Sequence, residues 1–555
     1  MAAISVLAAG CGAVAPRSTQ AGHRESAATG SREAAAGGGE SEQDQTEGHA
    51  HYAAGVIYEL EGQPDLALRE YSEAALRDLG NETLVLEVSY RLMQANQLEK
   101  ALDLLARGAA RAEASGAVYA RLGYVYSRLG KSEAAIQASR EAIRREPRSL
   151  AGYQNLFLEY LGKQQDKRAL AVLDQAAEVP RADAEFLVGL AGYYSRFGIQ
   201  FSLQKEQANA RALELLQRAA QMNIVDPEVR LKLADGFNLL GKDEQAARIY
   251  LDLLKQLPDM PFLRESIRGK LADIYLRGHD PKLAVEQLEA VVRDNPTDAR
   301  AYYALGSIAY DGRKYAEAAE NFNKVLLLDP DVEPAYYDLA SAQISGDQDR
   351  EALETLDRAR QKFPQSFILE YLSGLAYSGQ KDYTNAISRF NAAEVFARAR
   401  DTNHLTREFY FQFGAACERK GDTVRAEEYF EKCLRLSPDY AEALNYLGFM
   451  WADRGEKLDR ARALIERALK EDPRNAAYLD SMGWVLFKLG RTEEALDYVL
   501  KAVHYSEEED ATLFDHLGDI YAVLGRQDKA REAWKKSLSL EPNEQVRKKL
   551  EPEGK

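Results

Sequence analysis

Small residues recur along this chain at a step of 34, and that step restricts the fold more than any other feature. Gly55, Ser89 and Gly123 stand 34 residues apart, and two further steps reach Phe157 and Ala191. The same interval links Ala272, Gly306, Ala340 and Gly374, then Gly414 and Gly448, with steps of 35 to Gly483 and Gly518. Twelve residues behind runs a ladder of alanines, from Ala67, Ala101, Ala135 and Ala169 to Ala461, Ala495 and Ala530. Prolines form a third, at Pro147, Pro296, Pro330, Pro364, Pro438, Pro473 and Pro542. A chain periodic at this interval builds one small supersecondary unit many times and buries its apolar faces by stacking neighbours.

Each period holds two helical stretches. GSIAYDGRKYAEAAENFNKVLLLDP, from Gly306 to Pro330, shows an apolar stripe at helical spacing, a break at Asp311-Gly312, a second stripe and a proline stop. Composition agrees: apolar residues make up 46% and charged residues 29%, a mixture expected of a folded helical body. A glycine inside a helix costs about 1 kcal/mol relative to alanine. Here it is expected to permit close approach, so that the second helix sets its own alanine against the first.

Leu517-Gly518, Tyr521, Ala530, Trp534 and Pro542 together follow the pattern of the tetratricopeptide repeat, which the chain resembles from about Gly48 to Pro542. The expected fold is all-α, a solenoid of about fourteen helical hairpins. The terminal NEQVRKKLEPEGK reads as a polar capping helix. Departures exist, since Phe157 replaces the small residue in the fourth unit and the second unit lacks its proline. The resemblance implies a right-handed superhelix whose first helices line a concave groove for a peptide or a partner's helix.

Three breaks in the period divide the repeats. RFGIQFSLQKEQANA, the PDMP run at Pro258–Pro261 and FARARDTNHL each lengthen a step, giving blocks at 48–183, 184–406 and 407–551. Ahead of them, Leu7-Ala8-Ala9-Gly10-Cys11 resembles a bacterial lipobox, with Ala8 where leucine is usual and no basic stretch before it. Residues 1–11 are therefore expected to be a lipoprotein-type signal segment lipidated at Cys11. Residues 12–47, rich in Ala, Gly, Ser, Glu and Gln, read as a disordered tether. This places the protein on the periplasmic face of a bacterial membrane, the outer membrane favoured, with membrane contact only through the lipid; without lipidation the location is cytoplasmic.

Candidate chemistry is sparse. The net charge of −16 leaves no basic excess to displace phosphate counterions, which argues against nucleic acid. LGKSEAA has Val125 where a phosphate-binding loop needs glycine, and no strand precedes it. His49 and His51 lie on the tail without a third ligand. Cys417 and Cys433 take core-facing places, as buried thiols or, in an exported protein, as a disulfide. Asp515, His516 and Asp519 cluster within little more than one turn, yet they occupy a variable stripe and read as a solvated acidic patch rather than a metal or acid–base site. No cofactor and no metal are expected, and no enzyme activity.

That stripe is the expected binding face. Tyr303, Tyr337 and Tyr371 recur at the period, and Phe411 follows three residues before Gly414. Their offset from the packing face would turn them toward the groove as an aromatic track, whereas packing between successive first helices is the plainer reading. Asn445, Asp480 and Asp515, with Asp519, make the same stripe polar and then acidic. A ligand apolar at one end and basic at the other would suit it.

The Lys and Asn clamp of carboxylate-binding co-chaperones cannot be assembled from these positions. The segment ALNYLGFMWADRGEKLDRARALIERALKEDPRNAAYLDSMGWVLFKLGRTEEALDYVLKAV is instead similar to the terminal repeats of long bacterial lipoproteins built of such units. That resemblance implies a non-enzymatic adaptor that joins a periplasmic processing protease to its substrates, cell-wall hydrolases among them. A scaffold of polysaccharide or pilus export is the alternative, and a regulatory subunit of a separately encoded enzyme is the alternative of another class.

Overall fold

The computed structural model describes residues 42–257 and 260–550, and every regular element among them is helical. Fourteen pairs of helices follow one another in sequence, and a short helix, Glu544–Leu550, comes after the last. The expected all-α solenoid of about fourteen hairpins with a terminal cap is what forms. Two expectations at the amino end fare differently. Cys11 and the signal segment lie outside the described residues, whereas the supposed tether is helical from Glu42, because Glu42–Leu60 forms the first helix. His51, expected on a flexible tail, is held in that helix with its Nδ1 2.7 Å from Glu70.

Internal contacts divide the chain into two compact units, one ending at Gly236 and one starting at Phe237. The division falls inside the helix Pro227–Leu239 and not at either expected block boundary. The first unit contains five hairpins, from Glu42–Leu60 with Pro64–Arg77 to Ala184–Gln200 with Lys205–Ala220. The second contains eight complete hairpins, from Pro261–Arg277 with Pro281–Asp294 to Ala511–Val523 with Gln527–Leu540. The inserted residues are absorbed as extra turns: Ala184–Gln200 and Tyr383–Arg400 run long, and each is followed by a single 3₁₀ turn.

One hairpin shows how the sequence makes the unit. Asp298 caps the helix Ala299–Asp311, its Oδ1 accepting from the amides of Arg300 at 2.9 Å and Ala301 at 3.0 Å. Ala301, Leu305, Gly306 and Ala309 form the buried face. At the far end the amide of Lys314 donates to the Ala309 carbonyl and that of Arg313 to Tyr310, both at 2.9 Å, which closes the last turn. The residue in the left-handed region is Arg313, at φ 57°, not Gly312 of the expected break, whose φ is −78°. Equivalent turns place Gly130, Gly490 and Gly525 there, at 70°, 79° and 72°. A side chain at that position costs about 1–2 kcal/mol, so the repeats with Arg313, Asp347 or Lys381 carry strain that their glycine counterparts avoid.

What the in-helix glycine admits also differs from expectation. The second-helix alanines Ala318, Ala386, Ala426 and Ala530 are fully buried, but the group lying over each glycine is the ring one turn further on. A Cβ on Gly306 would stand 2.8 Å from Phe322, on Gly374 2.5 Å from Phe390, on Gly414 2.9 Å from Phe430 and on Gly518 2.4 Å from Trp534. The missing side chain makes room for a large one across the hairpin, and burying such a ring contributes about 1.5–3 kcal/mol. That more than offsets the glycine's helix cost. The second unit concentrates these rings: Phe390, Phe409, Phe413 and Phe430 are all buried, and Phe413 stacks on Tyr429 with centroids 3.8 Å apart. Cys417 and Cys433 are buried free thiols in the same core, pushed up to about 11 and about 12 chiefly by burial. They are inert packing groups rather than a disulfide.

Candidate binding cleft

Helical geometry places the residue three before each small position on the edge of the packing face, and the second unit shows what that edge does. Tyr303 is half-buried against Phe322, centroids 5.5 Å apart, and its hydroxyl bonds the carboxylate of Asp338 on the next first helix. Tyr337 is buried, and its hydroxyl donates to Glu333 at 2.8 Å. Tyr371 stacks on Phe367 at 5.5 Å and leans on Phe409 at 5.9 Å, while Phe411 meets Tyr446 edge-on at 5.3 Å. Burial lifts Tyr337 and Tyr371 each to about 12, and Tyr303 above the ordinary tyrosine value. The rings therefore pack as seams between successive repeats, with Tyr337 buried and Tyr303, Tyr371 and Phe411 partly accessible. The physical reason is spacing: each first helix packs on the next closely enough to cover part of the ring at its edge.

Farther along, the polar end of the stripe is not the solvated patch expected. Asp480, on the helix Ala476–Lys488, is only 6% exposed, and so is His516, on Ala511–Val523. The His516 Nδ1 lies 3.0 and 2.9 Å from the two Asp480 oxygens. An ionised carboxylate only accepts, so Nδ1 carries the hydrogen and donates. The imidazole stacks on Trp484 with centroids 3.9 Å apart. Burial alone would depress the His516 pKa, but the Asp480 charge and hydrogen bond, with Asp515 and Asp519 behind them, raise it above the ordinary histidine value. Asp515 and Asp519 are held too: the Lys549 ammonium of the final helix lies 2.7 Å from each carboxylate, and Trp534 Nε1 donates to Asp519 at 3.1 Å. No group of three or more metal-binding side chains occurs among the described residues.

Only part of the stripe reaches open space. A cleft of about 480 Å³ is walled by the first helices Arg407–Lys420, Ala441–Asp453 and Ala476–Lys488, and closed by residues of the turn before Ala511–Val523. Asn445 and Asp480 line it, with Tyr446 and Phe449 as aromatic walls and Glu418 and Arg419 at one end. Asn445 is 7% exposed, and its side-chain oxygen has no hydrogen-bond partner among the described residues. An unsatisfied buried acceptor costs about 1–3 kcal/mol. Burial raises the Glu418 carboxyl above the ordinary range, against the pull of Arg419 and with the help of Asp453. Of the eight stripe positions, the structure thus gathers Asn445 and Asp480 at one opening and commits the others to packing or to ion pairs. Glu418 and His516 were not foreseen as neighbours of that opening. The signal for His516 was available, since it stands one repeat and one residue beyond Asp480.

Models described as "Tetratricopeptide repeat" match residues 116–149, 270–333, 309–371, 411–476, 449–512 and 482–543. No curated protein matches the chain. Among solved structures, the APC/C hetero-tetramer Cut9–Hcn1 is 14% identical, with 83% of this chain and 88% of that one covered and a TM-score of 0.36. A tetratricopeptide repeat protein from Parabacteroides merdae ATCC 43184 is 18% identical over 45% of this chain and 96% of its own, TM-score 0.37. MamA from Desulfovibrio magneticus RS-1 is 24% identical over 32% of this chain and 97% of its own, TM-score 0.29.

Proposed function

Because the chain is a tetratricopeptide repeat protein, we propose that it acts as a protein-interaction scaffold whose partners dock on the first-helix face. Scaffolds of this kind are generally non-catalytic, and their function lies in the site rather than in the fold. The carrying observation is the cleft lined by Asn445 and Asp480 and walled by three successive first helices. Rigid helices hold that opening at fixed geometry, which suits recognition of a peptide segment.

Within that role, we favour a lipid-anchored periplasmic adaptor that brings a processing protease to cell-wall hydrolases. Support comes from the lipobox-like run ending at Cys11 and the likeness of the terminal repeats to long lipoproteins of this kind. The scaffold of a polysaccharide or pilus export assembly has the same anchor and the same repeats, and differs only in partner. Cross-linked capture of the detergent-solubilised protein, followed by mass spectrometry, separates them. A serine protease and hydrolases enriched with the wild-type protein support the adaptor; glycosyltransferases or pilus components in their place overturn it. Fatty-acid labelling that disappears in Cys11→Ala supports the anchor, and labelling that survives the substitution refutes it.

A further inference from the structure

Arg121, on the helix Gly116–Arg128 of the first unit, is a partly buried cation with no counter-ion among the described residues. Its Nη1 is enclosed without a hydrogen-bond partner, whereas Nε and Nη2 are not enclosed in this way. The guanidinium carbon lies 5.6 Å from the centre of the Tyr90 ring, on the preceding first helix Glu82–Gln94. One turn along its own helix stands Tyr124, whose hydroxyl accepts from Arg128 Nη1 at 3.2 Å. Tyr90 is 36% exposed and Tyr124 38%, so the cradle they form opens to solvent. Arg91, also partly buried, shows the ordinary arrangement, with Glu59 at 2.8 Å and Glu87 at 3.0 Å. Burial lowers the Arg121 pKa, opposed by the Tyr90 and Tyr124 hydroxyls, and no carboxylate enters that balance. A guanidinium stays charged all the same, and a charge drawn out of water without a partner is costly. Chains retain such local conflicts where function needs them.

We infer that Arg121 receives a carboxylate of a partner peptide, its Nε and Nη2 donating beside the Tyr90 and Tyr124 rings. This rests on the scaffold reading, since Arg121 and both rings belong to first helices, and it names the chemistry the partner must bring. Carboxylate suits the position on three counts. Nε and Nη2 share one edge of the guanidinium and match two carboxylate oxygens as a bidentate pair. The Tyr124 hydroxyl accepts from Arg128 and so retains its own hydrogen as a further donor. The net charge of −16 repels a polyanionic surface, so one carboxylate in an apolar segment is favoured over a phosphate-bearing membrane.

The test uses the full chain and heptapeptides that carry a neutral dye and are blocked at both ends, so that a central glutamate is the sole carboxylate. Fluorescence anisotropy compares Ala-Leu-Ala-Glu-Ala-Leu-Ala with its glutamine counterpart, and with the glutamine peptide left free at its carboxyl end. The glutamate peptide is expected to bind at least about tenfold more tightly than the blocked glutamine peptide, as charge-assisted pairs outweigh neutral ones. Tighter binding by the free-end peptide keeps the carboxylate and assigns it to a chain terminus. Arg121→Gln should erase the preference while its urea midpoint stays at or above that of wild type, because an unpaired charge is removed. Arg121→Glu should turn the preference toward the arginine counterpart of the peptide, a gain that damaged folding cannot produce. Equal binding of the blocked glutamate and glutamine peptides and of the free-end peptide overturns the inference and leaves the scaffold reading intact. So does a preference that survives Arg121→Gln, and so does displacement of the glutamate peptide by phosphatidylglycerol vesicles but not by acetate. Failure of all the peptides to bind, while cross-linked partners are still captured, sinks the carboxylate assignment alone.

Discussion

Gly518→Ala should destabilise the last hairpin, against the ordinary effect of that substitution. In a solvated helix the change is worth about 1 kcal/mol in favour of the variant. At Gly518, which is buried, the added methyl carbon would stand 2.4 Å from both Cδ1 and Nε1 of Trp534 and 2.9 Å from Cε2. A rigid indole cannot yield by bending, so the whole ring must shift by about an ångström toward ordinary contact distance. That shift lengthens the 3.1 Å hydrogen bond from Trp534 Nε1 to Asp519, worth about 1 kcal/mol. It also overpacks a ring that is 7% exposed, at about 1–3 kcal/mol. Set against the helix gain, the net loss is about 1–3 kcal/mol. Because such arrays are coupled mainly to neighbours, the loss should concentrate in the helices Ala511–Val523 and Gln527–Leu540. Hydrogen exchange resolved by peptide, with urea unfolding for the total, measures both size and place.

An internal comparison sharpens this. Gly192 is also helical, but nothing lies within 4 Å of the position its Cβ would take. Gly192→Ala should therefore stabilise by up to about 1 kcal/mol. Trp534→Phe should recover part of the Gly518→Ala loss, since the smaller ring leaves room. If Gly518→Ala is neutral or stabilising, or if protection falls evenly along the chain, the account of glycine as the seat of a ring is wrong.

Turn strain makes a second prediction: Arg313→Gly should raise stability by roughly 0.5–1 kcal/mol and Gly490→Ala should lower it by about 1–2 kcal/mol, both read from urea midpoints. His516 predicts a pH dependence. Its pKa is raised on folding against the ordinary 6.5, so its stabilising contribution is complete below about 6.5 and is lost as pH rises through the folded value. The groups facing it are Asp480, Asp515 and Asp519, the last two shared with Lys549. Wild type should accordingly exceed His516→Gln in urea midpoint most at pH 6, the gap narrowing above it; a gap that widens with pH refutes the assignment. Lys549→Ala leaves two half-buried carboxylates facing each other, and should cost the last hairpin about 1–2 kcal/mol, with the helix Glu544–Leu550 losing exchange protection.

The repeat was legible because three residue types keep the period, and each does one job wherever it stands. The ring over the glycine was not legible, since the position is Tyr71, Ser139, Phe322, Ile465, Val499 or Trp534 in different repeats and forms no ladder of one type. Turn chemistry was half visible. Gly490 and Gly525 mark the left-handed residue openly, but Arg313 and Lys381 do the same with an unfavourable side chain, which composition hides. The stripe of Tyr303 to Asp515 was found at the right interval, but how far each member is covered was not legible. Offset from the packing face fixes direction relative to one helix, whereas burial depends on how closely the next helix stacks. For the same reason the Asp480–His516 pair escaped notice: its two halves belong to different repeats, and each alone looks like an ordinary surface residue.

Lys549 stands 34 residues beyond Asp515, so the helix Glu544–Leu550 sets it in the register of the stripe positions before it. Asn543 caps that helix by accepting from the Gln545 and Val546 amides, as Asn475 caps an earlier first helix. Val546 fills the core below, beside Ala530 and Trp534. Where Asp480 meets His516 in the next repeat, Asp515 meets a lysine. The acidic face of the helix Ala511–Val523 is thus met by a residue of opposite sign. Any segment seated against that helix would bury the ammonium together with its two carboxylates, a costly desolvation that an apolar surface does not repay.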